Sequence, residues 1–288
     1  MAIASALTRT GALDLRQGDV ESVLARVEGA LGTRLDRGGL VRKRRSVGAR
    51  TGRGTWARIE ARRLAKIGGQ GWNGTECAAV LVGVSRPRWH AGVSWADPEA
   101  GLMWRADETD LVADAPIKPA GPLWIAPELT DGWWATLDGS LAALAGHSTT
   151  RVATPDTVAI TQKHLTAVLR KAFPVLSAAD TVIEEWQTAH ADLNWANLTA
   201  PRCWVLDWED WGHAPRGLDA ANLWACSLAV PTLAARVREL RRDDLESRTG
   251  RLISLYLLSG RMDSDGPHRE MARGEAERLL AGLLAERR

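Results

Sequence analysis

Residues 190–210 read HADLNWANLTAPRCWVLDWED, and how this stretch folds decides how the rest of the chain is read. Residues 198–200 and 203–206 are apolar or β-branched, and Pro201 and Arg202 stand where a turn belongs. Folded as a hairpin, the segment sets Ala200 opposite Cys203 and Leu198 opposite Val205. Asn197 and Asp207 then emerge side by side at the open end, with Cα atoms about 5 Å apart. An amide oxygen and a carboxylate held that close suit a hard divalent cation such as Mg2+, with water and phosphate oxygens completing the shell. Asp192, on the loop before the hairpin, is left as a carboxylate able to take a proton. Alone, a His-Asp-Asn loop is ordinary turn chemistry, its side chains bonding nearby backbone. Here it sits at a β-to-α boundary between apolar strands, which points to a site.

The chain changes character on either side of this stretch. DVESVLARVEGALG, residues 19–32, repeats Val20, Val23, Leu24, Val27 and Leu31 at helical spacing, with Asp19 to cap the start and Gly32 to end it. From Leu35 to about Glu60, short β-branched runs cut by RGG, VGARTG and GRG predict a small antiparallel sheet. NGTECAAVLVGV reads as a short helix ending at Gly83, and GLMWRADETDLV as a strand running into a polar connector. In the second half, Trp134, Leu137, Leu141 and Leu144 share a helical face. TPDTVAITQKHLTAVLRKAF has Thr154 as cap, Pro155 at the first helical position, and Val158, Leu165, Val168, Leu169 and Ala172 as its stripe. Beyond the hairpin, GLDAANLWACSLAV, PTLAARVRELRRDDL, RTGRLISLYLLSG and the last twenty or so residues all carry helical patterning. A β-rich front and a helical back predict an α+β protein of two lobes, residues 1–107 and 108–288.

Composition narrows the class. A chain of 288 residues, 45% hydrophobic and 25% charged, can bury a sizeable core as one large domain or two packed lobes. Its 14 Trp against one Tyr and one Phe mean that indoles fill positions other proteins give to Phe. A net charge of +2 exerts no general pull on nucleic acid or membrane. Cys77, Cys203 and Cys226 lie far apart, outside any CxxC spacing, which fits a reducing cytoplasm. The opening residues lack the basic-then-apolar pattern of an export signal, and no apolar run is long enough to span a bilayer. The run Arg42-Lys43-Arg44-Arg45 lacks interleaved aromatics, and a strand would send alternate residues to opposite faces, so nucleic-acid binding is the weaker reading of it.

HADLNWANL followed by VLDWED resembles the catalytic loop and metal-binding motif of the aminoglycoside phosphotransferase family, relatives of the protein kinases, whose loop runs H-G-D-x-x-x-x-N before a strand ending in Asp. The resemblance implies a kinase-like two-lobed fold, with a small β-rich N-lobe and a larger, mostly helical C-lobe. It makes Asp192 the base or orienting carboxylate for an acceptor hydroxyl, His190 a structural member of the catalytic loop, and Asn197 and Asp207 the holders of Mg2+. Ala191 replaces the usual Gly, which the backbone accepts most easily if its φ is negative. APRGLDAANLW resembles the family's helix start, and Asp219 takes the part of the Asp that braces the loop through its backbone.

The same resemblance assigns the front half to an ATP or GTP co-substrate. Gly38 and Gly39 become the phosphate-side turn, SVGART a strand, GRG a hairpin turn, and TWARIE the strand whose Arg58 stands where kinases place Lys; Lys66 is the second choice. Arg can hold phosphate bidentately, but its fork is longer and flatter than an ammonium. Glu76 becomes the helix partner of Arg58. Residues 104–111 become the connector, with the backbone of Ala106, Asp107 and Glu108 toward the purine. The implied activity is Mg-dependent transfer of a γ-phosphoryl group to a hydroxyl of an antibiotic-like or related small molecule, by a monomer or homodimer. Glu184, Glu185, Glu209, Asp210, Asp243 and Asp244 are the acids available to a cationic acceptor. The rivals are a nucleotide-binding protein without catalysis and a nucleic-acid-binding module.

Overall fold

The computed structural model describes residues 14–118, 123–263 and 267–286; the opening stretch read for an export signal therefore lies largely outside the described residues. The chain divides into two compact units, one running to Val80 and from Pro87 to Ala113, the other comprising Leu81–Arg86 and the chain from Asp114 onward. Among the described residues no helix is long and apolar enough to cross a membrane.

The first unit is built on α1 (Glu21–Leu31) and a five-stranded antiparallel sheet of β1 (Val41–Arg42), β2 (Ser46–Arg50), β3 (Trp56–Arg63), β4 (Trp89–Asp97) and β5 (Leu102–Thr109), in the order β1-β2-β3-β5-β4. A short helix, α2 (Gly74–Cys77), lies between β3 and β4. Strand alternation sorts the side chains by face. Val47, Ala49, Ala57, Ile59, Ala61, Leu102, Trp104 and Ala106 pack with Val23, Leu24, Val27 and Leu31 of α1 into one core. Arg58, Glu60, Arg105 and Asp107 alternate with these residues, with Arg58 opposite Asp107 and Glu60 opposite Arg105. Asp19 accepts the Glu21 N–H at 2.9 Å, and Gly32 ends α1 at φ 62°.

The expected strand-turn-strand at residues 46–63 is present, but three readings of the front need correction. Residues 104–109 continue β5 and are not a connector: Ala106 is completely buried, and Glu108, 1% exposed, lies on the α1 side. There Glu108 accepts from Thr55 Oγ1 at 2.5 Å and Arg53 Nη1 at 2.9 Å, while Arg53 Nη2 bonds the Leu31 and Gly32 carbonyls at the end of α1. The helix begun at Gly74 stops at Cys77 and gives way to a 3-10 turn, Ala78–Val80, so Leu81 to Gly83 are not helical. Three residues of the basic run also leave the strand: Arg42 closes β1 and donates to the Gly18 carbonyl at 2.8 Å, whereas Lys43, Arg44 and Arg45 form the exposed β1–β2 connection.

The second unit contains β6 (Ala115–Pro116), α3 (Asp131–Ala145), α4 (Gln162–Ala172), β7 (Trp186–Ala189), β8 (Thr199–Ala200), β9 (Gly212–Pro215), α5 (Leu218–Ala225), α6 (Pro231–Leu240), α7 (Arg242–Leu245), α8 (Arg248–Met262) and α9 (Pro267–Ala285). β7 pairs antiparallel with β9, and β6 with β8. Gly212 lets β9 come close to its neighbour, since a Cβ there would stand 2.5 Å from the Val152 carbonyl carbon. The helix expected from Thr154 begins instead at Gln162, capped by Thr161 accepting from His164 N at 3.2 Å. Residues 155–157 form a 3-10 turn, and the chain then extends so that Ile160 is buried and bonds Ala153 O at 2.9 Å; Val158 stays exposed.

Candidate active site

β7 delivers the chain to His190, and the loop that follows is held from several sides within the second unit. The backbone N–H groups of His190 and Ala191 donate to the two oxygens of Asp219, at 2.7 and 2.8 Å. Asp219 sits in the first turn of α5, just after Gly217 at φ 83°, and burial pushes its carboxyl above the ordinary range. The His190 ring is fully buried, donates from Nε2 to the Leu206 carbonyl at 2.8 Å and packs edge-on against Trp208. It therefore ties the loop to the strand leading to Asp207. Ala191 takes φ 74°, the left-handed region, so the substitution of Ala for Gly is accommodated at a positive φ and not by a change of backbone.

The hairpin has the expected register. Leu198 pairs with Val205, Thr199 N donates to Trp204 O at 3.2 Å, and Leu206 N donates to Asn197 O at 2.8 Å. This last bond joins the residues flanking the open end and sets Asp207, itself at φ 67°, beside Asn197 in the chain path. An Asp adopts the left-handed region at lower cost than most residues. From outside, Ile117 N bonds Leu198 O at 2.8 Å and Lys118 N bonds Trp195 O at 3.1 Å.

Asp192 is the centre of this arrangement. Its Oδ2 accepts from Asn197 Nδ2 at 3.0 Å and its Oδ1 from Asn194 Nδ2 at 3.1 Å, and both amides also donate to the Asp192 carbonyl, at 2.9 and 3.0 Å. Burial raises the Asp192 carboxyl, the Asp207 charge adds to the rise, and the bonds from Asn194 and Asn197 pull it down. Asn194 and Trp195, to which the sequence assigns no role, both have one. Asn194 Oδ1 accepts the Ala196 N–H at 2.9 Å, an Asx turn of the kind an Asn in a loop favours. Trp195 is a core anchor, fully buried against Trp133 and Trp134, with Nε1 bonded to Ser227 Oγ at 2.9 Å.

The front residues are placed differently from the expectation. Gly38 and Gly39 form an exposed Asx turn on Asp36, whose Oδ1 accepts Gly38 N at 2.9 Å, and they precede β1 instead of joining β1 to β2. Arg58 is in mid-β3 and pairs with Glu60 at 3.2 Å. Glu76 pairs with Arg105 at 3.1 Å, a guanidinium also held by Asp107 at 2.6 Å, so the basic partner of the α2 carboxylate is on β5. Trp89 Nε1 donates to the same Asp107 at 2.8 Å. Lys66 lies exposed in a 3-10 turn after β3. Of the acids offered to a cationic acceptor, Asp244 is bound by Arg216 at 2.9 Å and by Arg241, and Glu185 by Arg216 at 2.7 Å. Asp210 is buried near Thr154 Oγ1, at 3.4 Å. These three are part of the framework.

No family model matches the chain, and no curated protein matches it in sequence. Its fold does match solved structures. An aminoglycoside phosphotransferase, APH(4)-Ia, in a ternary complex with ADP and hygromycin B, aligns over 90% of this chain and 98% of its own with a TM-score of 0.55 at 12% identity. Amicoumacin kinase, in complex with AMP-PNP and Ca2+, aligns over 91% and 94% with a TM-score of 0.53 at 9% identity. A 2''-aminoglycoside phosphotransferase bound to GDP and kanamycin aligns over 86% and 91% with a TM-score of 0.52 at 13% identity. The chain thus has the kinase-like α+β fold of the aminoglycoside phosphotransferases and amicoumacin kinase.

Proposed function

We propose that the chain is a small-molecule phosphotransferase of the aminoglycoside phosphotransferase kind, moving the γ-phosphoryl group of ATP or GTP to a hydroxyl group. The observation that carries the reading is the Asp192 carboxylate, fixed by Asn194 and Asn197, on a loop braced by Asp219 and returned to Asp207 by a hairpin. In this reading Asp192 takes the acceptor hydroxyl proton. The acceptor oxygen bonds to the γ-phosphorus as its bond to the β-phosphate oxygen breaks, and nucleoside diphosphate leaves.

The donor set at the hairpin mouth fits Mg2+. Asn197 turns its amide nitrogen toward Asp192, which leaves its oxygen on the other side of the amide, and Asp207 stands near enough to Asp192 to raise its carboxyl by repulsion. Among the described residues no three His, Cys, Asp or Glu side chains gather as a metal site, and an amide–carboxylate pair completed by phosphates is what Mg2+ accepts. Bound there, the ion would neutralise charge on the phosphoryl group in transfer. Asn197 and Asp207 would hold it, and Arg58, with part of its side chain exposed, remains the candidate for the nucleotide phosphates.

The acceptor is a hydroxylated small molecule. Phosphate release and acceptor phosphorylation with Mg·ATP and Mg·GTP test the reading. Asp192→Ala should lower turnover by about 10²- to 10⁴-fold, and an unchanged rate would refute the assignment of the base. A specific observation favours a second reading, nucleotide binding without transfer: the β1–β2 connection holds Lys43, Arg44 and Arg45 and no glycine. Magnesium-dependent nucleotide binding without transfer to any acceptor would select it.

A further inference from the structure

We infer that Asn194 is a positioning residue for phosphoryl transfer, holding the Asp192 carboxylate in register with the acceptor hydroxyl, an inference that rests on the phosphotransferase reading. The two carboxylate oxygens are bonded separately. Asn197 donates to Oδ2, and Asn194 donates to Oδ1 from the opposite end of the loop turn. A carboxylate held at one oxygen can rotate about its Cβ–Cγ bond; held at both, it presents its remaining lone pairs in one direction. A base must meet the proton it removes within about 3 Å, so that loss of rotation bears directly on rate.

The geometry of Asn194 separates this role from simple support of the loop. One face of its amide serves the loop, because Oδ1 accepts the Ala196 N–H at 2.9 Å. The other serves Asp192, because Nδ2 donates to both Oδ1 and the carbonyl oxygen of that residue. Asp or Ser at this position keeps an oxygen for the Ala196 N–H, as Asx and Ser turns do, but neither carries the amide donor that reaches Asp192. Alanine loses both faces.

Asn194→Ala, Asn194→Asp and Asn194→Ser can be compared with the wild type and Asp192→Ala, using Mg·ATP and Mg·GTP with water, kanamycin and hygromycin B as acceptors. All three Asn194 variants should lose about 10- to 100-fold in kcat while keeping the nucleotide KM of the wild type; Asn194→Asp and Asn194→Ser should also keep its thermal midpoint, whereas Asn194→Ala, which loses the bond from Ala196 N, should lower it. If Asp and Ser restored wild-type kcat and only Ala were slow, Asn194 would be a loop support and the inference would be wrong. If the wild type turned over, Asp192→Ala did not, and all Asn194 variants matched the wild type, the inference would fall while the phosphotransferase reading stood. No turnover by the wild type would remove both.

Discussion

At Ala191 the loop holds a non-glycine residue at φ 74°, with its N–H fixed by Asp219 at 2.8 Å. A left-handed alanine costs about 1 kcal/mol, and glycine relieves it while making the unfolded chain freer by a similar amount. Ala191→Gly should therefore leave stability within about 0.5 kcal/mol of the wild type, whereas the β-branched side chain of Ala191→Val should lower it by about 2 kcal/mol or more. Urea unfolding checks both, and equal stability of the valine variant would argue that the loop relaxes to negative φ. Cysteine chemistry gives a second residue-scale outcome. Burial pushes the Cys203 thiol up to about 12, its residue being 5% exposed, while Cys77 and Cys226 are half-buried. At pH 8 a disulfide reagent should modify Cys77 and Cys226 in the native protein and reach Cys203 only on unfolding; fast labelling of Cys203 in the native state would contradict the packing.

Among the elements, α1 is fastened by charge as well as by its apolar face. Glu28 accepts from Arg37 Nη1 and from Leu35 N, both at 2.7 Å, and these bonds hold its carboxyl below the ordinary value of 4.5. The folded state thus binds this proton more weakly than the unfolded chain does. Its stabilisation is complete above pH 4.5 and is lost as pH falls through the folded value. Glu28→Gln should lower stability by about 1 kcal/mol at pH 7 and flatten the acid limb of a stability–pH curve; a parallel downward shift at all pH values would show that the charge has no part. The loop of residues 190–197 is fastened through Trp195. Trp195→Phe loses the bond to Ser227, whose hydroxyl still donates to Leu223 O at 2.7 Å, and should cost about 1 kcal/mol. Trp195→Ala empties a fully buried site and should cost about 3–5 kcal/mol by chemical denaturation.

Across the whole molecule, what could be read from the sequence is what local physics decides. The hairpin of residues 198–205 has apolar strands and a Pro-containing turn, so its register followed from propensity. The alternation of Leu102, Trp104 and Ala106 with Arg105 and Asp107 also marks a strand, and the resemblance to a lobe connector over residues 104–111 cut that strand short of its end at Thr109. β9 carries Gly212 and Pro215 and pairs only because β7 lies beside it, a contact no local pattern announces. The pairing of Glu76 with Arg105 was equally hidden, since arginines abound and register across β3 and β5 selects among them. The same division runs through the proposed function, in which Asp192 and Asn197 are read from one local loop, whereas the proposed phosphate contact, Arg58, lies on the sheet unit. Thermal unfolding with and without Mg·ATP or Mg·GTP therefore reports on the part that the sequence leaves least defined. A nucleotide that binds only the folded chain at about 100 times its Kd should add about 2.7 kcal/mol. Asp207→Asn should remove the magnesium-dependent part of that gain, while Asp192→Asn, which removes no proposed ion ligand and keeps one acceptor oxygen for Asn194 or Asn197, should retain it and lose transfer. Equal nucleotide stabilisation in wild type and Asp207→Asn would show that Asp207 does not hold the ion, and the hairpin mouth would then need another purpose.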